Sequence, residues 1–173
     1  MSGPMTPSRV LVAGIGNVFL GDDGFGVEVV RRLETTQLPA GVDVADYGIR
    51  GVHLAFDLLD GRHDTLVLID AVPLDDPPGT LAVLEVPLDG EPEDALATPA
   101  VDGHGMTPLA VLDLLRTLGG SLRRALVIGC RPAVLDEGIG LSPSVQAAVG
   151  PAVRLVADVV TDLLAVPAAN PSR

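Results

Sequence analysis

Short runs of apolar residues alternate along this chain with longer stretches in which apolar residues recur at helical spacing. Continuous apolar runs of this kind are typical of strands that are covered on both faces of a sheet. The chain has three of them, Val10–Ile15, Leu66–Ile69 and Ala125–Ile128. Val42–Tyr47 and Thr80–Val86 alternate between polar and apolar residues, which predicts edge or half-exposed strands.

Four amphipathic stretches between these runs predict helices. They are Gly26–Glu34, Val52–Leu59, Thr107–Leu118 and Ser142–Leu164. Thr107 before Pro108 is a typical helix start, and Ser142 stands before Pro143 in the same way. Because proline cannot donate to a helix and its ring crowds the preceding turn, Gly150-Pro151 predicts a break or kink in the last helix.

The order of these elements is β-α-β-α-β-β-α-β-α. The link from Asp70 to Thr80 is too short for a helical crossover, so the strand Thr80–Val86 is expected to be antiparallel. We therefore predict a three-layer α/β/α sandwich around a mostly parallel, five-stranded twisted sheet with one antiparallel strand, phosphorylase/hydrolase-like in type. A chain of 173 residues fits one domain, with residues 1–8 and 167–173 as disordered tails.

The amino-acid composition limits both the kind of core and the classes of binding partner that the chain can have. Aromatic residues make up only 2% of the chain, so the core must be built from alanine, valine, leucine and isoleucine. The formal net charge is −12, lysine is absent, and such an acidic surface repels nucleic acid and anionic lipid. No stretch reaches the roughly 18 uncharged apolar residues that a transmembrane helix needs. We expect a cytoplasmic monomer that binds neither nucleic acid nor a membrane.

Three loops bring the candidate chemistry. In such folds ligands bind beyond the carboxyl ends of the strands, close to where the strand order reverses. The glycine-rich loop after the first strand contains Asp22 and Asp23, the third apolar strand ends in Asp70, and a later loop supplies His104 before a helix. Two carboxylates and an imidazole make a sensible site for a divalent metal. A helix N-terminus beside His104 favours its neutral, metal-binding form.

Simpler roles for these residues remain open. Asp22 or Asp23 fits a cap for the helix that starts near Gly24. Asp70 fits a turn former, and His104 fits an exposed loop residue.

The remaining histidines and the single cysteine have ordinary interpretations. His53 and His63 are expected to be exposed, the latter after a turn at Asp60-Gly61-Arg62. Cys130 follows a strand, and a buried thiol there is inert as a nucleophile.

Three nucleotide- or phosphate-handling motifs are excluded. Gly14-Ile15-Gly16 begins like a dinucleotide fingerprint, but Phe19 occupies the place of the third glycine. Without lysine, the chain cannot form the phosphate-binding loop of nucleotide hydrolases. A phosphoacceptor receiver domain is excluded for the same reason, since it needs a lysine near its last strand.

The motifs in these loops resemble those of one enzyme family. They are GIGNVFLGDDGFGV (14–27), DYGIRG (46–51), VLIDAV (67–72), DGHGMTP (102–108), IGCRP (128–132) and GIGLSP (138–143). This pattern, spread from about Val10 to Val159, is similar to that of the hydrogenase-maturation endopeptidases. These enzymes trim the C-terminal extension from the large-subunit precursor of nickel–iron hydrogenases.

The resemblance implies a metal-dependent, aspartic-type endopeptidase that recognises nickel. By position, the metal ligands and catalytic residues are Asp23, Asp70 and His104. The nickel is expected to arrive with the substrate, and other divalent metals are expected to occupy the site in vitro. Water is activated either by the metal or by a carboxylate such as Asp22 or Asp23, and the sequence does not choose between them.

The turn after the second strand is expected to contact the substrate. Its residues are Asp46, Gly48, Ile49, Arg50 and Gly51. Relatives often have a threonine-containing Gly-Gly-Thr-x-Gly turn where this chain has Gly48-Ile49-Arg50-Gly51, which indicates a different hydrogenase partner. The family also has glutamate in some members where Asp23 stands, so ligand distances are expected to differ.

Two alternative functions remain. One is a different metal-dependent hydrolase on the same scaffold, acting on a phosphoester or a small amide. The other is a non-catalytic, metal-sensing or chaperone-like module for the nickel-bearing subunit.

Overall fold

A computed structural model describes residues 7–88 and 106–165 of the chain. Over these residues, nine regular elements alternate as the sequence predicts. They are β1 (Val10–Ile15), α1 (Phe25–Leu33), β2 (Val42–Gly48), α2 (Gly51–Leu58), β3 (Thr65–Ala71), β4 (Leu81–Glu85), α3 (Pro108–Thr117), β5 (Arg124–Cys130) and α4 (Pro143–Ala165). The predicted tails fall almost wholly outside the described residues and stay a prediction.

The strands form one sheet in the order β2-β1-β3-β5-β4. β1, β2, β3 and β5 pair in parallel, and β4 pairs antiparallel to β5 at the edge, as the short link to it predicts. β3 and β5 are buried along almost their whole length, as expected for strands that are covered on both faces.

Successive residues of each strand point to opposite faces, and each face has its own core. Val10 and Val12 of β1 lie in the core that α1 and α4 cover, whereas Leu11 and Ala13 lie in the core that α2 and α3 cover. This confirms the three-layer α/β/α sandwich. The core is aliphatic, as the composition requires, and Phe25 is its one large aromatic side chain among the fully buried residues described.

The starts of the two proline-led helices differ. Thr107 caps α3 as predicted, because its Oγ1 accepts a hydrogen bond from the Ala110 N–H at 3.2 Å. Ser142 precedes Pro143 in the same way, but its hydroxyl donates at 2.8 Å to the carboxylate of Asp22.

The break predicted at Gly150-Pro151 is wrong, since α4 runs as one helix from Pro143 to Ala165. Pro151 lies on the exposed side, and the buried residues Ala148 and Ala152 on either side of it keep the same helical face. Packing of that face against α1 and the sheet offsets the roughly 3 kcal/mol that an interior proline costs. Among the described residues, no helix is both long and apolar enough to span a membrane.

Candidate functional site

The candidate site lies where the strand order reverses. β1 has β2 on one side and β3 on the other, so the loops that follow β1 and β3 diverge at their carboxyl ends. Such a reversal creates a crevice in which α/β proteins bind their ligands. The loop after β1 contains Asp23, and β3 contains Asp70 one residue before its end.

Asp23 lies in a turn that the sequence did not predict, a short 3₁₀ helix over Gly21–Gly24. Its side chain is half-buried, and its Oδ2 accepts a hydrogen bond of 2.7 Å from the backbone N–H of Asn17. Burial raises the pKa of Asp23, and the hydrogen bond from Asn17 opposes that shift only in part. The position of Asn17 in the loop motif was the one signal for this contact.

Asp70 lies within strand β3, so the alternative role of a turn former does not apply to it. It is 8% exposed, and its Oδ1 accepts a hydrogen bond of 2.8 Å from the N–H of Ala71. Burial and, secondly, the negative charge of Asp23 raise the pKa of Asp70 well above its usual range. Asp23 and Asp70 thus lie at the same crevice, and their role as metal ligands stays a prediction.

Gly16 lies between these two aspartates. It has a φ of +131°, and a side chain on it would overlap the carbonyl oxygen of Asp23 and place its Cβ 3.6 Å from Asp70 Oδ1. Its N–H donates at 2.9 Å to the carbonyl oxygen of Gly48. Only glycine combines this backbone conformation with so close an approach. Gly16 thus connects the first loop, the end of β3 and the turn after β2.

Asp22 has a different place from its neighbour. It is 0% exposed and does not cap the helix that starts near Gly24, since neither the 3₁₀ turn nor α1 has a side-chain cap. Its carboxylate accepts four hydrogen bonds of 2.7–2.8 Å from Ala133, Val134 and Ser142. Burial alone would raise its pKa, but these hydrogen bonds outweigh burial and lower it. The Asp22 carboxylate is therefore fully buried and held by hydrogen bonds on both of its oxygens.

Two side chains stabilise the turn after β2. The hydroxyl of buried Tyr47 donates a hydrogen bond of 2.7 Å to Asp57. The guanidinium of Arg50 donates a hydrogen bond of 2.7 Å to the carbonyl oxygen of Asp46 and lies over the Tyr47 ring. The bracing role of Tyr47 was not predicted, and its place in the DYGIRG motif was the only signal for it. Ile49, in contrast, is 58% exposed.

The two glycines of this turn have structural roles. Gly48 has a φ of +53° and contacts Asp46 and Gly16, so it shapes the turn. Gly51 is buried, and a side chain on it would lie against Met106. Contact of Asp46, Gly48, Ile49, Arg50 and Gly51 with a substrate stays a prediction.

His104 lies outside the described residues. Within residues 7–88 and 106–165, no group of three histidine, cysteine or acidic side chains lies close enough together to hold a metal. The full predicted ligand set therefore stays a prediction, of which the structure brings together the two carboxylates.

The remaining histidines and the cysteine are structural or exposed. His53 is exposed, as predicted. His63 is not, since its side chain is 10% exposed and its Nε2 lies 2.7 Å from Asp43 Oδ2. That pairing joins residues 20 positions apart, so the local turn signal gave no sign of it. Cys130 is fully buried, which confirms its predicted burial, and burial first and Asp22 second raise the pKa of its thiol to about 11, which favours the inert thiol form.

The sandwich and the acidic pair at its crevice define an α/β protein with an enzyme-like site. A family model described as hydrogenase maturation protease matches residues 27–159. The hydrogenase 2 maturation protease of Escherichia coli K12 is 35% identical over 150 residues, which cover 86% of this chain and 88% of that relative. The chain belongs to the hydrogenase maturation protease family.

Solved structures agree with this assignment. The hydrogenase maturating endopeptidase HybD from Escherichia coli matches with a TM-score of 0.72 at 32% identity, over 90% of this chain and 93% of that one. A hydrogenase 2 maturation peptidase from a Thaumarchaeota archaeon matches with a TM-score of 0.67 at 35% identity, over 89% and 99% of the two chains. The fold class, the family and the hydrolase class predicted from the sequence are confirmed.

Proposed function

We propose that this endopeptidase removes the C-terminal extension from the large-subunit precursor of a nickel–iron hydrogenase, and that it recognises nickel already bound to that precursor. Family membership supports the peptidase activity and its hydrogenase substrate. The nickel, the aspartic character of the enzyme and the ligand set are the finer parts of this proposal.

The observation that supports nickel recognition is the convergence of Asp23, from the loop after β1, and Asp70, from the end of β3. Among the described residues, each carboxylate accepts a single hydrogen bond, from Asn17 and Ala71 respectively. Within this part of the chain each carboxylate thus keeps one oxygen without a hydrogen bond, and the two groups repel each other when both are ionised. A divalent cation would remove this repulsion, and carboxylate oxygens with one imidazole suit a borderline metal such as nickel. His104 is the proposed third ligand.

The three ligands contain no thiolate, so we expect weak and exchangeable binding of nickel by the enzyme alone. The nickel is thus part of the substrate, and Asp23, Asp70 and His104 hold it while the scissile bond is placed beside them. Asp23 is the carboxylate we assign to water activation, because its side chain is partly exposed whereas that of Asp22 is fully buried.

The test is incubation of the enzyme with nickel-loaded and nickel-free precursor, followed by mass spectrometry of the large subunit. We expect loss of a C-terminal peptide from the loaded precursor alone. Asp23→Ala, Asp70→Ala and His104→Ala should each lower kcat/KM by at least about a hundredfold with the circular dichroism spectrum unchanged. Asp113→Ala is the matched control, since Asp113 is an exposed carboxylate on α3 that pairs only with Arg116 among the described residues.

The other candidate functions give different results. Equal cleavage of both precursors would remove nickel recognition and favour another type of hydrolase. Tight binding of the precursor without loss of a peptide would indicate a chaperone-like module. Full activity in one alanine variant would remove that residue from the site.

A further inference from the structure

The carboxylate of Asp22 joins two segments that are far apart in sequence. Its Oδ2 accepts hydrogen bonds from the backbone N–H groups of Ala133 and Val134 and from the hydroxyl of Ser142, and its Oδ1 accepts one from the Ser142 N–H. The partners lie 111 to 120 positions away along the chain. Hydrogen bonds to a buried carboxylate are about twice as strong as those between neutral groups.

The segment that Asp22 holds connects β5 to α4 and has no regular structure of its own. Residues 133–140 are all exposed, and Ile139 is 82% exposed. Besides the carboxylate, the backbone joins this segment to the first loop: Asp22 N–H donates to Val134 at 2.8 Å, Gly21 N–H donates to Gly138 at 2.9 Å, and Gly138 N–H donates to Phe19 at 2.9 Å. The first loop and this segment are therefore joined both by the Asp22 carboxylate and by three backbone hydrogen bonds.

Asp23 follows Asp22 directly in the same 3₁₀ turn, in which neighbouring side chains point about 120° apart. The Asp22 carboxylate points into the protein toward Ser142, and the Asp23 carboxylate points toward Asn17. Because consecutive Cα atoms are held about 3.8 Å apart, a movement of the anchored residue moves its neighbour by a similar amount.

We propose that Asp22 is a positioning residue, whose carboxylate anchors the first loop to residues 133–142 and so fixes Asp23 in the geometry that the site requires. The catalytic consequence rests on the function proposed above, whereas the structural coupling does not.

Two variants change this anchor. Asp22→Asn keeps the shape of the side chain, but it places an NH₂ group, which donates, opposite N–H groups that also donate. Ser142→Ala is the milder change, because it removes one of the four donors and leaves the three backbone N–H donors of Ala133, Val134 and residue 142.

Amide hydrogen exchange tests the coupling without any substrate. In Asp22→Asn an NH₂ group replaces one of the two acceptor oxygens and the charge is lost, so the amides that faced the replaced oxygen, either those of Ala133 and Val134 or that of Ser142, should lose about tenfold or more of their protection. The amide of Asn17, whose acceptor is Asp23, should lose protection as well. Ser142→Ala should show the same pattern with a smaller change. Protection at Asn17 that stays at the wild-type value in both variants overturns the proposal, because Asp22 would then hold the distant segment alone.

Cleavage of the nickel-loaded precursor tests the consequence for the reaction. We expect kcat to fall about tenfold or more in Asp22→Asn and less in Ser142→Ala. Val160→Ala is the control for lost stability, because it makes a cavity in the core at the far end of α4 and should leave kcat unchanged at a temperature where all variants are folded. A wild-type kcat in Asp22→Asn together with loss of protection at Asn17 would overturn the catalytic part. Absence of cleavage by the wild-type enzyme would overturn the proposed function and leave the exchange result to decide the coupling.

Discussion

Gly16 lies directly against the backbone of Asp23, with no space for a side chain on residue 16. At a φ of +131°, any Cβ on Gly16 would overlap the carbonyl oxygen of Asp23. The position of an acidic side chain in this site thus depends on a residue seven positions earlier that has no side chain at all.

Gly16→Ala should therefore destabilise the fold and abolish cleavage. We expect a loss of more than about 2 kcal/mol in the free energy of unfolding, from the strained φ and the overlap with backbone together. Urea denaturation and the precursor-cleavage assay measure the two effects. Gly119→Ala is the matched control: Gly119 also has a positive φ, of +87°, but nothing lies within 4 Å of its added Cβ. It should lose about 1 kcal/mol and keep its activity. Equal losses in both variants would show that the approach to Asp23 is unimportant.

Asp70→Asn should abolish cleavage and yet increase stability at neutral pH. Because the pKa of Asp70 is raised in the folded state, its ionised form destabilises the fold above the unfolded-state value of about 3.9. The wild type therefore gains stability as the pH falls through the raised pKa, and its deficit relative to Asp70→Asn should be largest near pH 7 and vanish below about pH 4. Urea denaturation in a chelator at several pH values measures this. A less stable Asp70→Asn protein at pH 7 would contradict it.

Ile49 should determine how well the precursor is bound. It is exposed at the turn beside the site, whereas the guanidinium of Arg50 donates hydrogen bonds to the carbonyl oxygens of Asp46 and Tyr47. Ile49→Thr, which brings the turn nearer to that of relatives, should raise KM for the cognate precursor severalfold at constant kcat and constant nickel affinity. Val83→Thr offers a control, since Val83 is also exposed but lies on the edge strand β4. Unchanged KM values across several precursors would show that the turn is only structural.

Cys130 should resist alkylation in the folded protein. A thiol with a pKa of about 11 has only about one thiolate in a thousand at pH 8, and the side chain is fully buried. Iodoacetamide at pH 8, followed by mass spectrometry, should label the urea-unfolded chain and leave the native chain unmodified. Cys130→Ala should retain cleavage. Rapid native labelling with loss of activity would place this thiol in the chemistry after all.

Nickel affinity should fall as the pH drops below about 6.5, the usual pKa of histidine. His104 can bind a metal only as neutral imidazole, and Asp70, whose pKa burial raises, binds it only as a carboxylate, so protons compete with nickel for both residues. Calorimetric titration with nickel at several pH values checks this, and His104→Ala should bind more weakly with a flatter dependence in this range. If wild-type affinity stays constant from pH 8 to about 5, His104 is not a ligand.

The fold was predictable from the sequence because its signals are local. Val10–Ile15 is a strand with the predicted bounds, and Thr107 caps α3 as its place before Pro108 indicates. Apolar runs, caps and short links depend on neighbouring residues, and a buried parallel sheet leaves little else for such runs to form. The motifs in the loops were sufficient to predict the family and its hydrolase class.

Only the tertiary structure decided what each acidic residue does. Asp22 and Asp23 are the same residue type in adjacent positions, and nothing local separates an internal anchor from a side chain of the site. Their partners do, and those of Asp22 lie more than a hundred positions away. Pro151 remains inside α4 for the same reason, since contacts across the core outweigh a local preference. The sequence determined which elements form, and long-range hydrogen bonds and packing determined which side chains meet.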